Sequence, residues 1–328
     1  MTSWKLAADE HGILGVADTR AAGLTPKAVA RLVSRGELTG LGRGWYAVGS
    51  PDTPEERHAL LTRAALRAHE GRAVASHHSA LCLLRLPTYR ADFETIRLNR
   101  VTSGAPRTRR GQRLGRVVPA EAIAPPQAGS AAPTTVSPAL AVVQAGISGG
   151  PMAGLVAGDA ALSRDLVTRA GLDQALRWVH QHPGTRLLRP FLALADGRRA
   201  SPGETRLGHA FHLMGLAVTP QFKVEAAGFV AFVDFRIDGT AVVVEFDGKV
   251  KYGRGHDLVD HFGTKLTPQQ VLWREKQRED RIREQGYPVV RVTWAELDNP
   301  QALARRIGQA IRRVRASAPV DLTLRRAT

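Results

Sequence analysis

The stretch Phe232-Val233-Asp234-Phe235, followed by Val242-Val243-Val244-Glu245-Phe246-Asp247-Gly248-Lys249, decides how the C-terminal third of the chain folds. Phe229 to Ile237 and Ala241 to Phe246 are β-rich runs separated by Asp238-Gly239, which predicts a hairpin. Side chains alternate along a strand, so Glu245, Asp247 and Lys249 share a face if the strand stays extended that far. The hairpin brings Asp234 beside them. Converging carboxylates disfavour one another's ionisation, and a divalent cation removes that penalty. Oxygen ligands without Cys or His favour magnesium or manganese. A lysine next to such a metal orients or deprotonates water, or offsets charge on a phosphoryl transition state. The pattern therefore points to metal-assisted phosphodiester hydrolysis, with Asp234, Glu245 and Asp247 holding the metal and Lys249 beside it. The competing reading is a surface ion network of Asp234 with Arg236 or Lys249, which contributes little to stability. Against it, Asp234 interrupts an apolar run, where a solvated charge is least expected.

The flanking sequence completes an α/β domain over residues 199–316, with 317–328 as a tail. Ser201-Pro202-Gly203-Glu204 supplies an N-cap, a proline at the first helical position and an acidic first turn, predicting a helix to about Met214. Thr267-Pro268 caps a long helix closed by Gly286, Val289 to Trp294 is a strand, and 300–315 is a basic helix. Residues 273–284 carry nine charges in twelve positions. Such a helix reads first as a salt-bridged solvated face, with Lys276 as a site residue the alternative.

Residues 1–50 read as two short helices and a hairpin, the order of a winged helix-turn-helix. Thr25-Pro26 starts the second helix, Val29, Leu32 and Val33 form its apolar stripe, and Gly36 stops it. Lys27, Arg31 and Arg35 lie off that stripe, where a recognition helix needs basic groups for phosphates or guanine edges, and Arg43 sits at the wing tip. Residues 51–198 read as a mostly helical middle domain, with helices from Pro54, from Ser76, and around 138–146, 153–163 and 171–181. The Pro/Ala/Gly-rich stretch from Pro119 to Pro138 reads as a loop or linker.

The whole chain of 328 residues carries a formal charge of +16. Residues 97–116 hold seven arginines and no acid, and the C-terminal end repeats this on a smaller scale, so a polyanion, and nucleic acid first among them, is the expected partner. Arginine outnumbers lysine 39 to seven, yet four of the lysines (Lys249, Lys251, Lys265 and Lys276) fall within one window of 28 residues, where a compact ammonium is wanted. No apolar run is long enough to span a membrane, and the first residues lack the features of a signal peptide. One cysteine, Cys82, excludes an internal disulfide and a multi-cysteine zinc site, so the expectation is a soluble, cytoplasmic protein. Gly146-Ile147-Ser148-Gly149-Gly150 matches G-x-S-x-G, but helix precedes it and Pro151 follows, against a hydrolase elbow. His77-His78 and His180-Gln181-His182 read as capping or packing residues.

An aspartate, about ten residues, then a carboxylate with a nearby lysine on a hairpin resembles the signature of the PD-(D/E)xK restriction-endonuclease-like superfamily. Residues 201–297 resemble its very-short-patch-repair-like endonuclease domain through Ser201-Pro202-Gly203-Glu204, Pro220-Gln221, Val233-Asp234-Phe235, Val244-Glu245-Phe246-Asp247-Gly248, Glu275-Lys276-Gln277-Arg278-Glu279-Asp280 and Val290-Arg291-Val292-Thr293-Trp294. The resemblance implies a magnesium- or manganese-dependent endonuclease in which Asp234 and Glu245 bind the metal, Asp247 is a third candidate and Glu204 reaches in from the first helix. Two positions depart from the pattern. Asp247 stands where the superfamily usually has lysine, passing that role to Lys249 or Lys276, and Gly208 stands where relatives often place arginine. Residues 1–50 resemble the winged helix of the AbiEi antitoxin family through His11-Gly12, Gly23-Leu24-Thr25, Arg35-Gly36-Glu37-Leu38 and Gly42-Arg43-Gly44-Trp45-Tyr46. Residues 51–195 resemble the segment that follows it, through Ser76-His77-His78-Ser79-Ala80-Leu81 and Gly158-Asp159-Ala160-Ala161-Leu162. That family implies binding of double-stranded DNA, self-regulating repression, and a toxin partner or homo-oligomer in toxin–antitoxin or phage-defence systems. Two functions therefore stand: a DNA-binding endonuclease, and an antitoxin-type repressor whose nuclease-like domain is inactive.

Overall fold

A computed structural model describes residues 3–126, 134–248 and 267–317. Lys249, Lys251, Lys265 and the tail beyond Ser317 lie outside the described residues. The protein is a multidomain α/β chain that divides into two units, Met1–Gly197 and Arg198–Thr328. Among the described residues no helix is long and apolar enough to cross a membrane.

The first unit begins with a short 3-10 turn (Ser3–Ala7), β1 (Ile13–Gly15), α1 (Val16–Ala21), α2 (Pro26–Ser34), β2 (Leu38–Gly42) and β3 (Trp45–Val48). The expected helices and hairpin are present, and β1 adds a third strand in the order β1-β3-β2. The Thr25 hydroxyl accepts the Ala28 N–H at 3.2 Å, and Pro26 follows at the first helical position, so α2 starts where its sequence says. Its apolar stripe is narrower than the sequence suggests. Val29 is buried and Leu32 packs beside it, whereas Val33 is exposed. From α3 (Pro54–His69), Arg67 donates to Asp9 (3.2 Å), the Ile13 carbonyl (2.8 Å) and Asp18 (2.8 Å), and its guanidinium lies over the Trp45 ring. One side chain thus ties α3 to the elements before it.

The middle region continues with β4 (Ala73–Ala75), α4 (His77–Leu83), β5 (Ile96–Arg100), β6 (Arg107–Arg109), β7 (Gln112–Val117), α5 (Pro138–Gly149), α6 (Pro151–Ser163), α7 (Arg169–Trp178) and α8 (Gly184–Ala193). The helices expected there are found, but they surround a four-stranded sheet, β4-β5-β7-β6, that the helical reading omits, and α8 is additional. Arginine-rich strands lack the apolar alternation by which a strand is read. The sheet instead places Leu98 and Leu114 opposite each other in the core and leaves Arg107, Arg109, Arg113 and Arg116 exposed. The G-x-S-x-G match is a packing feature. A Cβ on Gly146 would lie 2.9 Å from Gly154 Cα and 2.6 Å from Leu188, so glycine there lets α5 and α6 cross closely. His78 packs, whereas His180 and His182 are exposed and His182 Nδ1 accepts the Gly184 N–H at 3.1 Å. His58 and His78 rings lie 4.9 Å apart, bonded to Ser79 Oγ (2.7 Å) and the Thr95 carbonyl (3.0 Å) respectively.

The second unit runs α9 (Pro202–Leu213), β8 (Val218–Ala226), β9 (Phe229–Ile237), β10 (Val243–Asp247), α10 (Pro268–Glu284), β11 (Val289–Thr293), α11 (Trp294–Leu297) and α12 (Pro300–Ser317). Every expected element is present, and β8, interrupted in sequence by Pro220, completes a sheet ordered β11-β10-β9-β8. The pairs β8–β9 and β9–β10 are antiparallel, and β10–β11 is parallel. Phe235, Ile237, Val242 and Val244 pack with Leu207 and Phe211 of α9 and Leu303 and Ile307 of α12. Ala231, Val233 and Val243 pack with Ile282 of α10 instead. The odd-numbered side chains of β9 therefore serve two cores, changing allegiance at Asp234.

Candidate functional site

Asp234 sits at that change. The β9–β10 ladder pairs Arg236 with Val243 and Phe235 with Val244, and the next bond is made by a side chain: Asp234 Oδ2 accepts the Phe246 N–H at 2.7 Å. On the other flank Gln221 of β8 has φ 49, a left-handed backbone in mid-strand that disfavours a side chain and marks local strain. Gln221 Nε2 donates to Glu204 Oε2 at 3.2 Å, linking the distorted strand to α9.

Glu204 is buried and its oxygens are engaged. They accept the Ala200 N–H (2.9 Å) and the Ser201 hydroxyl (2.8 Å), while Ser201 Oγ accepts the Glu204 N–H (3.2 Å), a variant of the capping box. Gly203, one residue earlier, is required by packing. A Cβ there would fall 2.0 Å from the Phe246 ring, so the Ser201–Glu204 segment and the strand bearing Glu245 interlock.

Glu245 is buried on β10, and its carboxylate faces arginines. Arg278 Nη2 of α10 lies 2.6 Å from Oε1, and Arg291, its neighbour on β11, lies 4.0 Å from Oε2. Arg278 also donates to both oxygens of Glu275 and to the Phe232 carbonyl, and Arg291 pairs with Glu275 (2.9 Å) and Glu279 (2.7 Å). Three glutamates and two arginines thus form one network. The bond from Arg278 holds the Glu275 carboxyl below the ordinary glutamate value. Burial opposes the charge on Arg278, but Glu275 and Glu245 more than offset it and raise its pKa. Asp247 is half-buried on the same strand opposite Thr293, and Lys276 is exposed on α10. Lys249 lies outside the described residues. Among the described residues, no three Asp, Glu, His or Cys side chains are grouped as metal ligands. The expected companions are therefore distributed: Asp234 at the Phe246 amide, Glu245 in the arginine network, and Glu204 in its own cap.

The charged α10 is salt-bridged, as its composition indicates, but its Arg278 reaches an interior carboxylate that sequence reading leaves unpartnered. A buried glutamate in an apolar strand demands a cation; only the return of α10 across the sheet selects Arg278. Arg199 is a second residue the sequence does not single out. It is buried against Gly208, where a Cβ would come within 2.6 Å of its Nε. A guanidinium from elsewhere in the chain thus lies at the position whose lack of arginine departs from the resembled pattern.

In the first unit, Lys27 and Arg31 are exposed on α2, Arg35 is exposed at its C-cap, and Arg43 is exposed in the two-residue turn between β2 and β3. Lys27 and Arg31 thus lie on a helix that buries Val29, and Arg43 lies separately at the hairpin tip. Residues 5–49 match the family model described as transcriptional regulator, AbiEi antitoxin. All four of these basic residues fall within the matched stretch, which is similar to the regulator domain of that family. A solved structure also aligns, the crystal structure of the RV2827C protein from Mycobacterium tuberculosis, at 18% identity and a TM-score of 0.34, covering 62% of this chain and 78% of that one. No curated protein matches.

Proposed function

We propose that the protein is a sequence-specific DNA-binding regulator of antitoxin type, in which Lys27, Arg31 and Arg35 of α2 enter the major groove and Arg43 grips the adjacent backbone. The observation that carries this reading is the regulator-family match over residues 5–49, within which α2 buries Val29 and exposes Lys27 and Arg31, and Arg35 and Arg43 are exposed at its C-cap and at the hairpin turn. Winged-helix readers divide their work in this way: groove contacts specify, and phosphate contacts position. The test is retardation of the DNA upstream of the protein's own gene across a salt series. Removing a phosphate-contacting cation lowers the salt slope by about one unit, and removing a base-contacting one relaxes specificity at one position. Retardation unaffected by a combined K27A/R31A/R35A/R43A variant would refute it. An antitoxin-type regulator acts beside a toxin, so a toxin chain or a second copy of this one is the proposed protein partner.

A second reading, a magnesium- or manganese-dependent endonuclease in residues 199–316, is favoured by Asp234 and Glu245 lying on the paired strands β9 and β10, where the β9–β10 ladder gives way to the Asp234–Phe246 bond, and by Gln221, which bonds Glu204, lying on β8 across from Asp234. Asp234, Glu245 and Asp247 supply oxygen ligands of the right chemistry, with Lys249 or Lys276 as the basic group; the metal would polarise the phosphodiester and the attacking water. A cation at Glu245 has to displace Arg278. Nicking of supercoiled plasmid by the wild type with either metal, lost in Asp234→Ala and Glu245→Ala, would support this reading. DNA binding without cleavage leaves the regulator with an inactive nuclease-like domain.

A further inference from the structure

The first unit holds a partly enclosed cavity of about 80 Å³ whose lining includes His78, Thr88, Arg90, Asp92, Arg97 and Ser148. Two of these carry buried polar atoms without a hydrogen-bond partner among the described residues: Thr88 Oγ1 and Arg97 Nε. Unmade bonds at a buried hydroxyl and at a buried guanidinium nitrogen are costly, the second more so. Arg97 is anchored to do something with its donor. Its N–H donates to Ser79 Oγ at 2.9 Å and its carbonyl accepts the Ser76 N–H at 2.9 Å, so the side chain projects from a fixed backbone on β5.

The charge balance favours an anion. Arg90 and Arg97 face one carboxylate, Asp92, which is occupied by the Glu94 N–H at 3.0 Å and by Thr95. Burial and the neighbouring His58 push His78 down to about 4, so it is neutral at physiological pH. Arg113, beside Arg97 in the β5–β7 register, adds to the positive potential. The C-terminus of α5 and the N-terminus of α6 both reach the cavity, through Ser148 and Ala153. Their dipoles offset each other, and the preference rests on the guanidiniums. A space of about 80 Å³ admits several waters, and so one tetrahedral oxyanion.

We infer that this cavity binds a phosphate-class oxyanion, as inorganic phosphate or as the terminal phosphate of a larger molecule, held by Arg97 and Thr88 with the exposed Arg90 at its rim. Arg97 belongs to the arginine run expected to attract a polyanion, but the site uses none of Lys27, Arg31, Arg35 and Arg43 and none of the nuclease-reading residues, so it stands or falls separately from both proposed functions. The test is calorimetric titration of the full chain with inorganic phosphate at fixed ionic strength, for the wild type, Arg97→Gln and Thr88→Val. One site per chain is expected, weakened roughly tenfold or more in each variant, the effect of losing one bond to a charged ligand. Thr88→Val leaves every charge in place, so its loss cannot come from weaker surface attraction, and it decides the matter alone if Arg97→Gln fails to fold. Absence of binding by the wild type at millimolar phosphate, or wild-type binding by Thr88→Val, would overturn the inference. Short oligonucleotides with and without a 5′-phosphate identify the source. A preference for the phosphorylated one, abolished by Thr88→Val, assigns a nucleic-acid end; equal binding of the two, with phosphate still bound, assigns the free ion.

Discussion

Replacing Arg278 by alanine isolates the energetics of the network around Glu245. Removing one partner of a buried ion pair typically costs about 3–5 kcal/mol, because the other charge is left without compensation. Two features reduce that figure. The Arg278 side chain is itself 30% exposed, and Arg291 remains 4.0 Å from the second oxygen of Glu245. A loss of about 2 kcal/mol is therefore expected, which is roughly a 30-fold change in an opening equilibrium. Because the chain has two units, a single global melting curve would mix their transitions. Hydrogen exchange of peptides covering β10 and β11 reads the local cost directly, and exchange there should accelerate by roughly that factor while peptides of α5 and α6 stay unchanged. Adding Glu245→Gln to Arg278→Ala removes the orphaned charge and should recover part of the protection. Unchanged exchange in Arg278→Ala, or a double variant as impaired as the sum of both singles, would refute the account of Glu245 as a charge that needs its arginine.

Gly203→Ala places a Cβ 2.0 Å from the Phe246 ring, so it should destabilise the second unit by about 1–3 kcal/mol or more. Because Phe246 meets Trp294 edge-on with ring centroids 4.8 Å apart, the near-ultraviolet dichroism of that unit should change as well; an unaltered spectrum and stability would contradict the packing. For His78, burial and His58 lower the folded pKa from 6.5 to about 4, so the unfolded chain binds a proton that the folded one refuses. Stability of the first unit should therefore be fully present above 6.5 and decline as pH falls from 6.5 towards 4, a slope that His78→Gln reduces. An identical pH dependence in that variant would show that another group titrates.

The second unit was legible because its signals are local. Ser201-Pro202 and Thr267-Pro268 cap their helices, Asp238-Gly239 turns the hairpin, and Val289 to Thr293 reads as strand in any context. The middle sheet was hidden because Arg97, Arg113 and Arg116 break the alternation that identifies strands, and the buried apolar side chains on those strands are Leu98 and Leu114, with Ile96 partly buried beside them. β8 was hidden by Pro220 and by the kink at Gln221. Among candidate site residues, the sequence places the carboxylates near one another but says nothing of their partners. Arg278 is one of several arginines on a charged helix, and only tertiary packing turns it towards Glu245. The four cations of α2 and the β2–β3 turn were legible for the opposite reason: they sit off a short apolar stripe, and exposure needs no partner.

The strand β6 has consequences for the behaviour of the protein in a crowded solution. It lies at one edge of the middle sheet with Arg107, Thr108 and Arg109 exposed, and among the described residues β7 is the one strand that pairs with it. An open strand flank is a template on which further strands add, the usual beginning of aggregation. Here a second copy approaching the same flank meets guanidinium groups of its own sign at contact distance, and repulsion turns it away. Charged side chains on an edge strand disfavour strand addition, so neutralising Arg107 and Arg109 is expected to raise edge-to-edge association, which light scattering of the Arg107→Ala/Arg109→Ala variant would read.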